Sequence, residues 1–141
     1  MNSIRFVLTL LCVLLFASCS TIPRYPDYTG QDRVTLCGHK DPNPFNRTPN
    51  VSVMAVDGIR TPGSGCKSAI ALSPGWHEID VFVSMLDSES FTVKPLLKSN
   101  KNYQIRGKIE DGQYAVYLFD VDTAETEDLY RIMKMRDIFQ G

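Results

Sequence analysis

Cys37, His39, Cys66 and His77 are the side chains outside the N-terminal segment best equipped for chemistry. Two thiols and two imidazoles can gather as a Cys2His2 zinc site. Two thiols alone can close a disulfide, and a thiol beside an imidazole can serve as nucleophile and base. The spacing matches no usual structural zinc pattern. Cys37 and His39, two apart on a strand, share a face without being oriented toward each other. His77 falls on the apolar side of a strand and Asp80 on the other, so neither a Ser-His-Asp set nor a carboxylate pair assembles. No catalytic residue, metal or cofactor is therefore expected. The alternative is a small hydrolase or metal-binding protein that uses His39 and His77.

What becomes of the two thiols depends on compartment. Residues 1–18 carry Arg5, an apolar run over positions 6–16 broken only by Thr9, and then Ala17 and Ser18. That is the layout of a secretory signal, too short in its apolar part to span a bilayer comfortably. Phe16-Ala17-Ser18-Cys19 resembles the bacterial lipoprotein box. The resemblance implies that Cys19 is lipidated and becomes the new N-terminus, attached through three acyl chains. One chain anchors marginally and two or more anchor stably. Ser20 after the cysteine implies the outer membrane, with the domain facing the periplasm of a bacterial cell envelope. Ordinary secretion with cleavage near residues 18–20 and no lipid is the competing reading. In either case Cys12 leaves with the signal. With Cys19 set aside as the lipid site, Cys37 and Cys66 remain as one pair in an oxidising compartment, where a disulfide is the default. Such a bridge stabilises by about 3.5 kcal/mol on the loop-closure scale.

The 141 residues leave room for one domain, and contents of 43% hydrophobic and 22% charged residues are those of an ordinary globular protein. A formal charge of -1 gives no reason to expect nucleic acid as a partner. The expected division is a signal over 1–18, a lipidated N-terminus and tether over 19–32, and a domain over 33–141.

The domain reads as mainly β. The organising stretch is residues 72–85, where a Pro74-Gly75 turn releases a strand with His77, Ile79, Val81, Val83 and Met85 on one face. Other strands are expected over 33–37, 51–57, 67–72, 91–97, 102–109 and 114–121, with turns at Asp57-Gly58 and Asp111-Gly112. Seven short strands predict a single antiparallel β-sandwich or small barrel. Beyond them, Leu129, Ile132, Met133 and Phe139 recur at helical spacing, which predicts a C-terminal α-helix over 123–139 with Asp122 or Thr123 as its cap.

Val56-Asp-Gly58, Thr61-Pro62 and Leu72-Ser-Pro-Gly-Trp-His-Glu-Ile-Asp-Val81 together resemble the PEGA-like, prealbumin-like small β-sandwich domains of bacterial lipoproteins. The resemblance spans about residues 51–120, implies the sandwich fold and brings no catalytic residues. With the anchor, it implies a non-enzymatic binding or structural module of the envelope, whose partners are the membrane and an envelope protein or cell-wall polymer. Trp76 and Phe82 fall on the face opposite Ile79 and Val81, where they are either packed beneath another layer, the commoner case, or candidate ligand contacts.

Overall fold

Alternation with period two drives the architecture. Val34 and Leu36, Val51 and Val53, Ile79, Val81 and Val83, and Tyr103 and Ile105 are all buried, with more accessible residues between them. The computed structural model describes residues 25–132 apart from Pro44, Arg47, 63–65 and 85–89. The signal, Cys19, Met85 and residues 133–141 lie outside the described residues.

Eleven strands run in chain order among these residues. They are β1 (Val34–Gly38), β2 (Val51–Val56), β3 (Ile59–Arg60), β4 (Ile70–Leu72), β5 (Gly75–Trp76), β6 (Ile79–Val83), β7 (Ser90–Val93), β8 (Leu96–Leu97), β9 (Asn102–Glu110), β10 (Gln113–Asp120) and β11 (Thr126–Ile132). A five-stranded sheet has the order β11-β10-β9-β1-β4, a four-stranded sheet the order β3-β2-β6-β7, and β5 pairs with β8. The buried side chains of all three sheets form one core cluster.

The expected strands are present but subdivided. The organising stretch breaks at His77 and Glu78 into β5 and β6. Residues 91–97 break at Pro95, which has no N–H to give a ladder, into β7 and β8. A 3-10 turn, Cys66–Ser68, replaces the start of the strand expected from residue 67. The larger sheet is not wholly antiparallel, because β1 runs parallel to β9. Both Asp-Gly turns form, with φ of 51° and 78° at Asp57 and Gly58 and 53° and 71° at Asp111 and Gly112. Those left-handed pairs match the twist of a two-residue hairpin.

The C-terminal helix is a misreading as far as Ile132: the chain folds back there as β11, paired with β10 from Phe119↔Thr126 to Tyr114↔Ile132. Asp120 is the cause. Its carboxylate accepts from the amides of Asp122 and Thr123, and its backbone closes the turn with Ala124 and Glu125. The residues expected to cap a helix are thereby spent in a hairpin turn, with Ala124 at φ 59°. Leu129 is the extra residue of a bulge between Val116 and Tyr117 and packs on the core, while Tyr130 stacks on Phe91 of β7 with ring centroids 4.6 Å apart. The 3.6-residue recurrence of Leu129 and Ile132 is thus met by a bulged strand.

Strand direction gives the domain two ends. At one lie Asp57, Ser73 to His77, β8 and the β10–β11 turn. At the other lie the loop of residues 39–50, Cys66 and Ser84, joined by hydrogen bonds from Val51 N–H to His39 O and from Ser84 N–H to Asn50 O. Gly38 marks where β1 passes against β2, since a Cβ there would stand 2.2 Å from Val51 O. Cys37 and Cys66 are bonded at this second end, with Cα atoms 4.9 Å apart across a separation of 29 residues. Residues expected to form a tether are attached from Tyr25 onward. Tyr25 N–H bonds to Arg60 O on edge strand β3, Tyr28 N–H bonds to Ala71 O on edge strand β4, and Tyr25 packs on the core.

Replacing Cys37 and Cys66 by Ala is expected to lower the unfolding free energy in urea by about 3.5 kcal/mol. Alkylation of the native protein with and without reductant gives the direct check: an unchanged thiol count would contradict the bond.

Candidate functional site

The buried His77 ring is held from both sides. Its Nδ1 lies 2.7 Å from Asp57 Oδ2 and its Nε2 lies 2.7 Å from Ser73 O. Both partners are acceptors while Asp57 is ionised, so the arrangement is satisfied when each ring nitrogen carries a proton. Asp57 also accepts from Glu78 N–H through Oδ1 at 2.9 Å and donates its own N–H to Glu78 O at 2.7 Å. Partial burial pushes the Asp57 carboxyl up, but the Glu78 amide and the His77 ring outweigh it and leave it below its ordinary value. The acid that orients His77 is therefore the turn residue Asp57. Asp80, across the strand, instead accepts from the Thr92 hydroxyl at 2.6 Å. The sequence reading missed Asp57, although the Val-Asp-Gly and Trp-His strings that hold both partners already stood in one motif.

The zinc arrangement does not form, because the sulfurs of Cys37 and Cys66 are bonded to each other. His39 sits in a separate network at the second end, where its N–H donates to Ile105 O. Burial, then the charge of Arg106, holds its imidazole below the ordinary value against the opposing pull of Asp41.

Among the described residues, two of the open clefts are large enough for a ligand. The first, about 650 Å³, lies on the outer face of the β3-β2-β6-β7 sheet. Arg60, Thr61, Asp80, Phe82, Ser90 and Thr92 line it. A bulge at Met54, skipped between Val53↔Val81 and Ala55↔Asp80, bends β2 beside it and leaves Met54 half-exposed. The second, about 580 Å³, lies beside the β10–β11 turn. There Lys101 and Asp120 pair at 2.8 Å, and the bond to Lys101, with the Asp122 and Thr123 amides, holds Asp120 below its ordinary value against its burial. That pair is committed to holding the turn, while Lys98, Glu125 and Glu127 also line the cleft. His77 lines neither cleft.

The outer face of the larger sheet carries its aromatics covered. Arg106 lies 3.6 Å over the Phe119 ring and Lys108 lies 5.4 Å over Tyr117, with Gln104 Oε1 accepting from Arg106 at 2.6 and 2.8 Å. Phe82 instead opens into the first cleft, on the outward face expected for it. Trp76, the other candidate contact, belongs to a different sheet. It is 71% exposed on β5, opposite Leu96 of β8, so the two aromatics do not form one contact surface on one strand. Comparisons with protein families, with curated proteins and with solved structures find no match for this chain.

The Asp57 contacts carry a pH dependence of definite sign. A carboxyl whose folded value lies below its unfolded value stabilises fully above the unfolded value, about 3.9 for Asp, and loses that contribution as pH falls through the folded one. Asp57→Asn, which tolerates the same left-handed backbone, is expected to lower stability near neutral pH and to flatten the loss on acidification. Urea unfolding at a series of pH values below 7 measures both. An acid limb as steep as that of the unmodified protein would show that the carboxylate is not its source.

Proposed function

We propose that this chain is a lipid-anchored, non-enzymatic binding module of a bacterial cell envelope, built as a small β-sandwich and contacting a cell-wall polymer through the outer face of its β3-β2-β6-β7 sheet. The observation that carries the reading is the open cleft in which Phe82 lies among Arg60, Asp80, Ser90 and Thr92. An aromatic ring offers the apolar face of a sugar a platform. Hydroxyls, a carboxylate and a guanidinium around it suit the hydroxyl and acidic groups of a glycan. The lipoprotein-box resemblance at Cys19 supports the anchor, and the motif shared with PEGA-like domains supports the sandwich. The core cluster common to the sheets agrees with it.

The hydrolase alternative draws on the 2.7 Å Asp57–His77 pair. Both ring nitrogens are engaged within the protein and the ring borders neither cleft, so the pair acts as a structural clasp rather than as a base facing a substrate.

Cosedimentation with purified peptidoglycan tests the cleft. Phe82→Ala and Asp80→Asn are each expected to fold and to weaken binding by up to about tenfold, whereas Trp76→Ala leaves it unchanged. Equal binding by all four proteins would sink the reading. The anchor has its own check in metabolic labelling with an acyl analogue, which Cys19→Ser should abolish.

A further inference from the structure

Trp76 is the only tryptophan of the chain and is 71% exposed, yet it stands on a well-tied part of the fold. Its strand pairs with β8, which places it directly opposite Leu96, itself 39% exposed. The next residue, His77, is clasped by Asp57, and Ile59, two residues beyond Asp57, is 37% exposed. An indole and two aliphatic side chains are thus held out toward solvent on backbone fixed by hydrogen bonds. Trp76 is the most exposed of the three, while Leu96 and Ile59 are each more than half covered.

The N-terminal segment enters the domain at the same end. Tyr25 N–H bonds to Arg60 O, next to Ile59, and burial followed by the charge of Asp57 raises the Tyr25 phenol above its ordinary value. Asp57 begins the turn into β3, whose Arg60 receives Tyr25, and it clasps His77, next to Trp76. Tyr25 lies six positions after Cys19, with five residues between them, which is about 20 Å of fully extended chain. A lipid on Cys19 would hold Tyr25, where the chain joins this end of the domain, within that distance of the anchor.

We propose that Trp76, with Leu96 and Ile59, is a second membrane contact, seated in the interfacial layer of the bilayer that holds the lipidated Cys19. The inference rests on the lipid-anchor reading above. Tryptophan suits the headgroup region because its ring is apolar while its N–H remains able to donate. Phe45 supplies the contrast. It is 91% exposed, but its loop is at the opposite end of β1, where Asp41 and Asn43 hold the turn.

The test uses the full processed protein, purified from membranes and reconstituted in phosphatidylcholine vesicles with or without bromine near the top of the acyl chains. Mass spectrometry of the N-terminal peptide first establishes whether Cys19 carries lipid. Trp76, as the sole tryptophan, should emit to the blue of its position in the lipid-free protein and lose most of its intensity in brominated vesicles. In the Phe45→Trp/Trp76→Phe variant, the relocated reporter should keep its emission. Lipidated protein whose Trp76 is quenched no more than that relocated tryptophan would overturn the membrane contact and leave the anchor intact. An unmodified Cys19 would overturn both. Circular dichroism and the retained Cys37–Cys66 bond show that the variant is folded.

Discussion

The clasp between Asp57 and the His77–Glu78 backbone is the constraint on which the arrangement of this end depends. Asp57 sits at the first position of a left-handed hairpin turn, a conformation that Asp tolerates better than most residues. From there it reaches three groups at once: the His77 ring and the Glu78 amide through its carboxylate, and the Glu78 carbonyl through its own N–H. The turn that ends β2 is thereby joined to the place where β5 gives way to β6. His77 passes the connection on to Ser73 O, at the end of β4 in the other large sheet. One carboxylate thus bridges elements from all three sheets. Burying a ring with two polar nitrogens would be costly if either lacked a partner. Here neither does.

The disulfide does corresponding work at the opposite end. It fastens β1 to the 3-10 turn before β4, close to where Gly38 lets β1 approach β2. Between these two fastenings the core is almost wholly aliphatic, with Val, Leu and Ile filling the space between strands too short to be stable alone. The open edges on one side, β3 and β4, are covered by residues 25–28. On the other side β7 and β11 meet through the Phe91–Tyr130 stack. Unpaired strand edges are a hazard for aggregation, and here each is short, covered or joined to its neighbour.

What could be read in the sequence was local. The two Asp-Gly turns, the alternation in β6 and β9 and the outward position of Phe82 follow from period and turn chemistry within a few residues. The pairing of Cys37 with Cys66 was legible by elimination, on the expectation that Cys12 leaves with a signal and Cys19 carries a lipid. Asp57 and His77 stood in one motif, but their pairing was not read from it, since that requires knowing that two turns twenty residues apart lie side by side. The parallel pairing of β1 with β9 is hidden for the same reason. The last strand shows a different failure. Leu129 and Ile132 fit a helix as well as a bulged strand, and only the capture of two turn amides by Asp120 decides between them. Trp76 and Phe82 were placed on one face by counting in twos, a count that stops applying where the strand breaks at His77.

The covered edge and the open cleft lie close together, and that sets a condition on function. Arg60 lends its carbonyl to Tyr25 and its side chain to the cleft that holds Phe82 and Asp80. On the lipid-anchored reading, the cleft is therefore tied to the membrane by the same short segment that holds the domain. On that reading a ligand reaching it lies near the bilayer, because the six chain steps from Cys19 to Tyr25 allow only about 20 Å of reach. A long flexible linker would let the domain sample the whole depth of the envelope. A segment hydrogen-bonded to β3 and β4 removes that freedom and, on the lipid-anchored reading, would exchange range for a high local concentration of the cleft at the membrane surface.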